Sequence, residues 1–212
     1  MIAGGKYLTL WDTSTWAEAH CINTSDTPAK AVFSPDGARI YTVSGGGRTN
    51  VYNSALVLQN EWVIVDSQVP NLELNDVDIS PDGQLLAIGT RGGDPCTWLL
   101  NALTGAVALT LDVPRGIGYA VSFSPDGQHL AIAMSFSQPP NPLSKNTAYV
   151  SIMDAASGLE IRQLAESRGK PVLSVAYSPD GNQLVTSDIN RVVQIWNPSN
   201  GAELQTLAAP PE

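Results

Sequence analysis

Short runs of Val, Ile, Leu, Ala, Thr and Tyr recur along the whole chain, broken at close intervals by Gly, Pro, Asn and Asp, and none of useful length has the three-to-four spacing of an amphipathic helix. This pattern predicts strands and tight turns throughout. Its anchor is a thirteen-residue unit that appears four times, at 32–44, 78–90, 122–134 and 176–188. In each copy an apolar or aromatic residue (Phe33, Ile79, Phe123, Tyr177) precedes Ser-Pro-Asp-Gly. Proline pre-sets φ at the first turn position and glycine accepts the positive φ that closes it, so each unit predicts a hairpin turn between two strands. Offsets of 46, 44 and 54 residues make this a repeat architecture rather than one irregular domain.

After each turn the next strand carries apolar residues on both faces, as in Ile40 and Thr42 alternating with Tyr41 and Val43, which places it between stacked sheets. A polar loop and a third strand follow (49–52, 96–100, 149–153, 192–196). A fourth is expected at 106–111, 159–164 and 202–207, and the run Glu61-Trp62-Val63-Ile64-Val65 is read as the fourth strand of its own unit, with Trp62 packed between units. Four strands per unit of about 40 to 50 residues is the arithmetic of a propeller blade. The expected fold is therefore an all-β propeller of four-stranded antiparallel blades, four complete (28–66, 75–111, 118–164 and 171–207) and one partial at the N-terminus (1–22). That partial unit has no Ser-Pro-Asp-Gly hairpin, and the tail supplies no replacement, so the ring is expected to be incomplete. Either the chain is a piece of a longer propeller, or it is an open arc whose edges another chain pairs.

Leu10-Trp11-Asp12, Ile152-Met153-Asp154 and Ile195-Trp196-Asn197, each followed by a turn and a further strand, resemble the Trp-Asp ending of the WD-repeat propellers. The resemblance covers nearly the whole chain and is greatest over 178–207. The family's Gly-His pair is missing from every unit, as in divergent propellers of bacterial proteins; Ser187 and Trp196 are expected to keep part of the family's side-chain network.

Composition narrows the function classes. A net charge of −9, from 11 basic and 20 acidic residues, argues against general nucleic-acid binding, which needs a concentrated cationic surplus. No window approaches 18 apolar residues and residues 1–11 have no signal-peptide pattern, so no membrane partner and a cytoplasmic setting are expected. Two cysteines in non-matching positions, Cys21 and Cys96, are read as independent buried thiols. Of the two histidines, His129 is expected at the surface, and His20 beside Cys21 in a strand points away from its neighbour, a poor chelate. The aspartates of the four turns serve local backbone bonding. No catalytic residue, metal site or cofactor is expected.

Charge placement suggests where a partner binds. Loops between second and third strands share one face with the links between blades, and there the strand assignment collects nine cations, Lys6, Arg48, Arg91, Arg115, Arg168 and Arg191 among them. The other face collects Asp12, Glu18, Asp36, Asp82, Asp126, Asp154, Glu160, Asp180 and Glu203. Arginine suits bidentate recognition of carboxylates, so those six cations are the candidate partner-binding residues of a non-catalytic scaffold for a protein or peptide. The alternative is a sensor or accessory part of a larger signalling protein or propeller enzyme whose catalytic groups lie outside this chain. Self-association through incomplete blade edges is a further expectation.

Overall fold

The computed structural model describes residues 2–4, 6–64, 72–91, 97–111, 113, 117–135, 148–164 and 171–208. They form strands and turns, with no helix among the described residues. A three-stranded sheet of β1 (Ile2–Gly4), β2 (Tyr7–Trp11) and β3 (Glu18–Asn23) is followed by four antiparallel four-stranded sheets. The second contains β4 (Pro28–Phe33), β5 (Arg39–Ser44), β6 (Arg48–Asn53) and β7 (Leu58–Val63). The third contains β8 (Glu73–Ile79), β9 (Leu85–Arg91), β10 (Thr97–Asn101) and β11 (Val107–Thr110), and the fourth β12 (Ile117–Phe123), β13 (His129–Ser135), β14 (Ala148–Asp154) and β15 (Glu160–Leu164). The fifth contains β16 (Val172–Tyr177), β17 (Leu184–Asp188), β18 (Val192–Trp196) and β19 (Glu203–Ala208). This is an incomplete β-propeller.

The first strands β4, β8, β12 and β16 pack one against the next, so they are the inner strands of the array and the fourth strands its rim. Burial follows that geometry. Second strands β5, β9 and β13 are buried on both faces, as their two-sided apolar pattern predicts, whereas β18 of the last sheet is half-buried where β14 is almost wholly buried. The core is divided among the junctions: Tyr41, Val43, Leu86 and Leu100 pack between the second and third sheets, Leu99, Phe123, Leu130 and Met153 between the third and fourth, and Ile152, Leu164, Leu184 and Trp196 between the fourth and fifth.

The third and fourth sheets are joined by one bridge between Ile117 and Arg91. A Cβ on Gly89 would stand 2.7 Å from the Gly118 carbonyl oxygen, a backbone atom that cannot swing aside. Gly89→Ala is expected to destabilise the chain by about 1–3 kcal/mol through overpacking, read as a lower urea midpoint at unchanged slope.

Four expectations change in detail. The fourth strand of the second sheet starts at Leu58 and ends at Val63, before Ile64, and Val65 lies outside the described residues; Trp62 nonetheless packs inward, 6.2 Å from the Tyr41 ring centroid and over the Gly105 turn. Cys21 is exposed rather than buried, because β3 is a rim strand; Cys96 lies outside the described residues. His129 is half-buried. The Trp196 indole donates to Thr186 Oγ1 at 3.0 Å and not to Ser187. Register explains this: Trp196 lies opposite Leu184, and Thr186 is the next residue of β17 on that face, whereas Ser187 points to the other.

Candidate partner-binding face

One face carries the corners between second and third strands. Arg48 opens β6, where its Nε lies 3.2 Å from Asp26 and its Nη1 donates to Glu61 at 2.6 Å. It thus ties the link from the first sheet to the rim of the second. Arg91 ends β9, and its Nη1 meets Glu73 at 3.3 Å with both side chains mostly exposed. Arg191 sits in the β17–β18 turn at φ 65°, a left-handed conformation unusual for a side chain of its size, with its own N–H donated to the Asp188 carbonyl. Lys6 is exposed, and its carbonyl accepts from Thr24 N at 2.7 Å. Arg115 and Arg168 lie outside the described residues.

The opposite face carries the four Ser-Pro-Asp-Gly turns, and each builds the same small network. The serine hydroxyl donates to the aspartate at 2.5–2.6 Å and accepts the N–H five residues on at 2.9–3.0 Å. The aspartate also accepts the N–H two residues after it. These bonds, the serine first, hold Asp36, Asp82 and Asp126 below the ordinary carboxylate range and bring Asp180 down to about 2. A carboxylate with a depressed folded pKa contributes stability that is full above its unfolded value and is lost as pH falls through the folded one. Acid unfolding is therefore expected between about pH 4 and pH 2, and a set of Asp→Asn variants in these turns should flatten that limb, checked by circular dichroism against pH. Asp78 runs the other way: burial raises its pKa, so its share of stability falls as pH rises past the unfolded value.

Asp78 and its neighbour Asp76 form a second cluster that the sequence pattern did not single out. They stand two residues apart on the inner strand β8. Buried Asp76 accepts the N–H of Val121 at 3.0 Å and of Val77 at 2.9 Å, and its Oδ1 lies 2.5 Å from Lys30 Nζ. Asp78 accepts Phe123 N at 2.7 Å, and Ser122 accepts Tyr177 N at 3.3 Å. Side chains of one inner strand thus satisfy the unpaired edge of the next. The signal available was two carboxylates at alternate positions of a first strand, set among Leu74, Val77 and Ile79. Among the described residues no group of three His, Cys, Asp or Glu could hold a metal ion.

Comparison with known proteins agrees with the geometry. The family model described as "WD domain, G-beta repeat" matches residues 160–197, which run from β15 to the turn after Trp196. The chain carries a WD repeat of this family at residues 160–197. This WD-repeat chain is 32% identical over 131 residues to a COMPASS component, SWD3, of Saccharomyces cerevisiae, covering 62% of the chain and 37% of that protein. It is 28% identical over 164 residues to an uncharacterised WD repeat-containing protein of Synechocystis, covering 75% of the chain and 40% of that protein. It is 23% identical over 196 residues to the protein groucho of Drosophila melanogaster, covering 92% of the chain and 24% of that protein. The WD-repeat chain spans well under half the length of each.

Proposed function

We propose that this WD-repeat chain is a non-catalytic scaffold that holds an acidic protein or peptide segment on the face carrying Lys6, Arg48, Arg91 and Arg191. Arg91 carries the reading. Its side chain is 63% exposed and its ion pair with the equally open Glu73 is long, so the pair contributes little and a partner's carboxylate can take over from Glu73. Arg48 and Arg191 occupy the equivalent corners of two other sheets, which repeats a cation at a regular spacing. One relative is by name a component of a complex, which supports a binding role. The relatives' greater length supports the second reading, that the chain is the sensor or accessory part of a larger protein.

The test compares charge reversal on the two faces. Against a partner identified by pull-down, Arg48→Glu, Arg91→Glu and Arg191→Glu together are expected to weaken binding at least tenfold, whereas Asp36→Lys with Asp82→Lys should change it less than twofold. Equal losses from both faces would leave the polarity as mere solvation and end the proposal.

A further inference from the structure

On the opposite face, between the fourth and fifth sheets, lies a cleft of about 510 Å³. The repeat supplies its own reference for what should fill such a place. At the junction of the second and third sheets Tyr41 donates its hydroxyl to the Ala102 carbonyl at 2.9 Å, and Ala102 donates its N–H to the Gln84 carbonyl at 2.8 Å. At the next junction Ala155 makes the same bond to Gln128 at 2.9 Å. In the fifth sheet the equivalent residue is Pro198, which has no N–H, so the Asn182 carbonyl lacks that bond. Ala131 stands where Tyr41 would be, as Ala87 does at the third-to-fourth junction, so no tyrosine hydroxyl from that position reaches the Pro198 carbonyl. The ring comes instead from the fifth sheet, as Tyr177, whose hydroxyl oxygen is buried without a partner; burial, with the charge of Asp126, pushes its pKa up.

The cleft therefore holds backbone acceptors that lack the bonds of their counterparts, with the unpartnered Tyr177 hydroxyl beside them. Asn182 and Pro198 line it with Asp126 and Asp180, two carboxylates kept ionised by their turns. The one guanidinium in its wall, Arg162, is committed to the Asn200 and Ser199 carbonyls at 3.1 Å each. His129 lies beside Asp126. Ile152, Ile161 and Pro125 supply an apolar flank.

We propose that this cleft receives an arginine side chain of a partner protein, its aliphatic stem on the apolar flank and its guanidinium donating to Asp126, Asp180 and the Asn182 carbonyl. Arginine fits because five donors in a planar fork can meet several acceptors at once while the stem stays on apolar surface. The excess of acidic over basic residues favours the approach of such a partner. This surface is independent of the arginine-bearing face, and the partner has the opposite charge.

The probe is acetyl-Gly-Gly-Arg-Gly-Gly-amide, with its neutral citrulline counterpart as control, titrated into the full chain and followed by amide NMR shifts. The arginine peptide is expected to perturb residues 124–129 and 177–182, with the citrulline peptide at least tenfold weaker. Asp126→Asn with Asp180→Asn keeps the turn acceptors and should weaken binding at least fivefold. The matched pair Asp36→Asn with Asp82→Asn should stay within twofold. Pro198→Ala, which restores the N–H facing Asn182 without changing charge, should weaken binding at least twofold. Equal losses from the two aspartate pairs, equal binding of citrulline, or shifts spread over the whole acidic face would overturn the proposal.

Discussion

Replacing Trp196 by alanine is expected to cost about 3–5 kcal/mol, the range for truncating a large buried ring. The side chain is 3% exposed and packs in the fourth-to-fifth junction with Leu184, Ile152 and Leu164, so its loss opens a cavity between two sheets. The indole N–H is also spent on the buried Thr186 hydroxyl, which alanine would leave without that donor. Trp196→Phe separates the two contributions: it keeps most of the apolar volume, and its cost should fall to about 1–2 kcal/mol, near that of an unsatisfied buried hydroxyl. Urea unfolding with an unchanged slope measures both. A loss below about 1 kcal/mol for alanine would mean that β18 is frayed.

Asp76→Ala is expected to cost about 3 kcal/mol, from a different source. Most of it comes from the buried N–H of Val121, which loses a charged acceptor, and from the Val77 N–H that shares the same carboxylate. The ion pair adds little, because the Lys30 side chain is 47% exposed and returns to water when its partner is removed. Lys30→Ala alone should therefore cost less than about 1 kcal/mol, and the double variant should sit close to Asp76→Ala. A Lys30 effect as large as that of Asp76 would show that the charge pair, not the capped strand edge, holds these sheets together.

The two mutations also mark where sequence reasoning reached and where it stopped. The Ser-Pro-Asp-Gly turns and the two-sided strands after them were legible because each depends on residues close in the chain, and Trp62 was placed inward by the alternation of its own strand although its contacts, Tyr41 and the Gly105 turn, are distant in sequence. Thr186 was missed in favour of Ser187 because naming an indole's partner requires the register between β17 and β18 to the single residue, and a slip of one moves every side chain to the other face. Asp76 and Asp78 were missed because their partners lie 45 residues away on a different sheet, where no local pattern reports on them. The cation-bearing face was visible as a tally of charges. Its internal pairing was not: Arg48 is held by Asp26 from the preceding link and Glu61 from the rim strand. The cleft beside Tyr177 arises from Ala131 and Pro198 together, and neither is unusual within its own unit.

The turns on the acidic face also touch one another in order. An added Cβ on Gly83 would meet Pro35 at 3.4 Å, one on Gly127 would meet Pro81 at 3.4 Å, and one on Gly181 would meet Pro125 at 3.5 Å. Each turn offers its proline to the glycine of the next, a relation with a direction, like the head-to-tail joint of a polymer. A duplicated unit arrives already carrying both halves of that joint. Adding a blade then requires no new complementary surface, and the number of blades in such an array is governed by the angle swept at each step rather than by any residue that counts them.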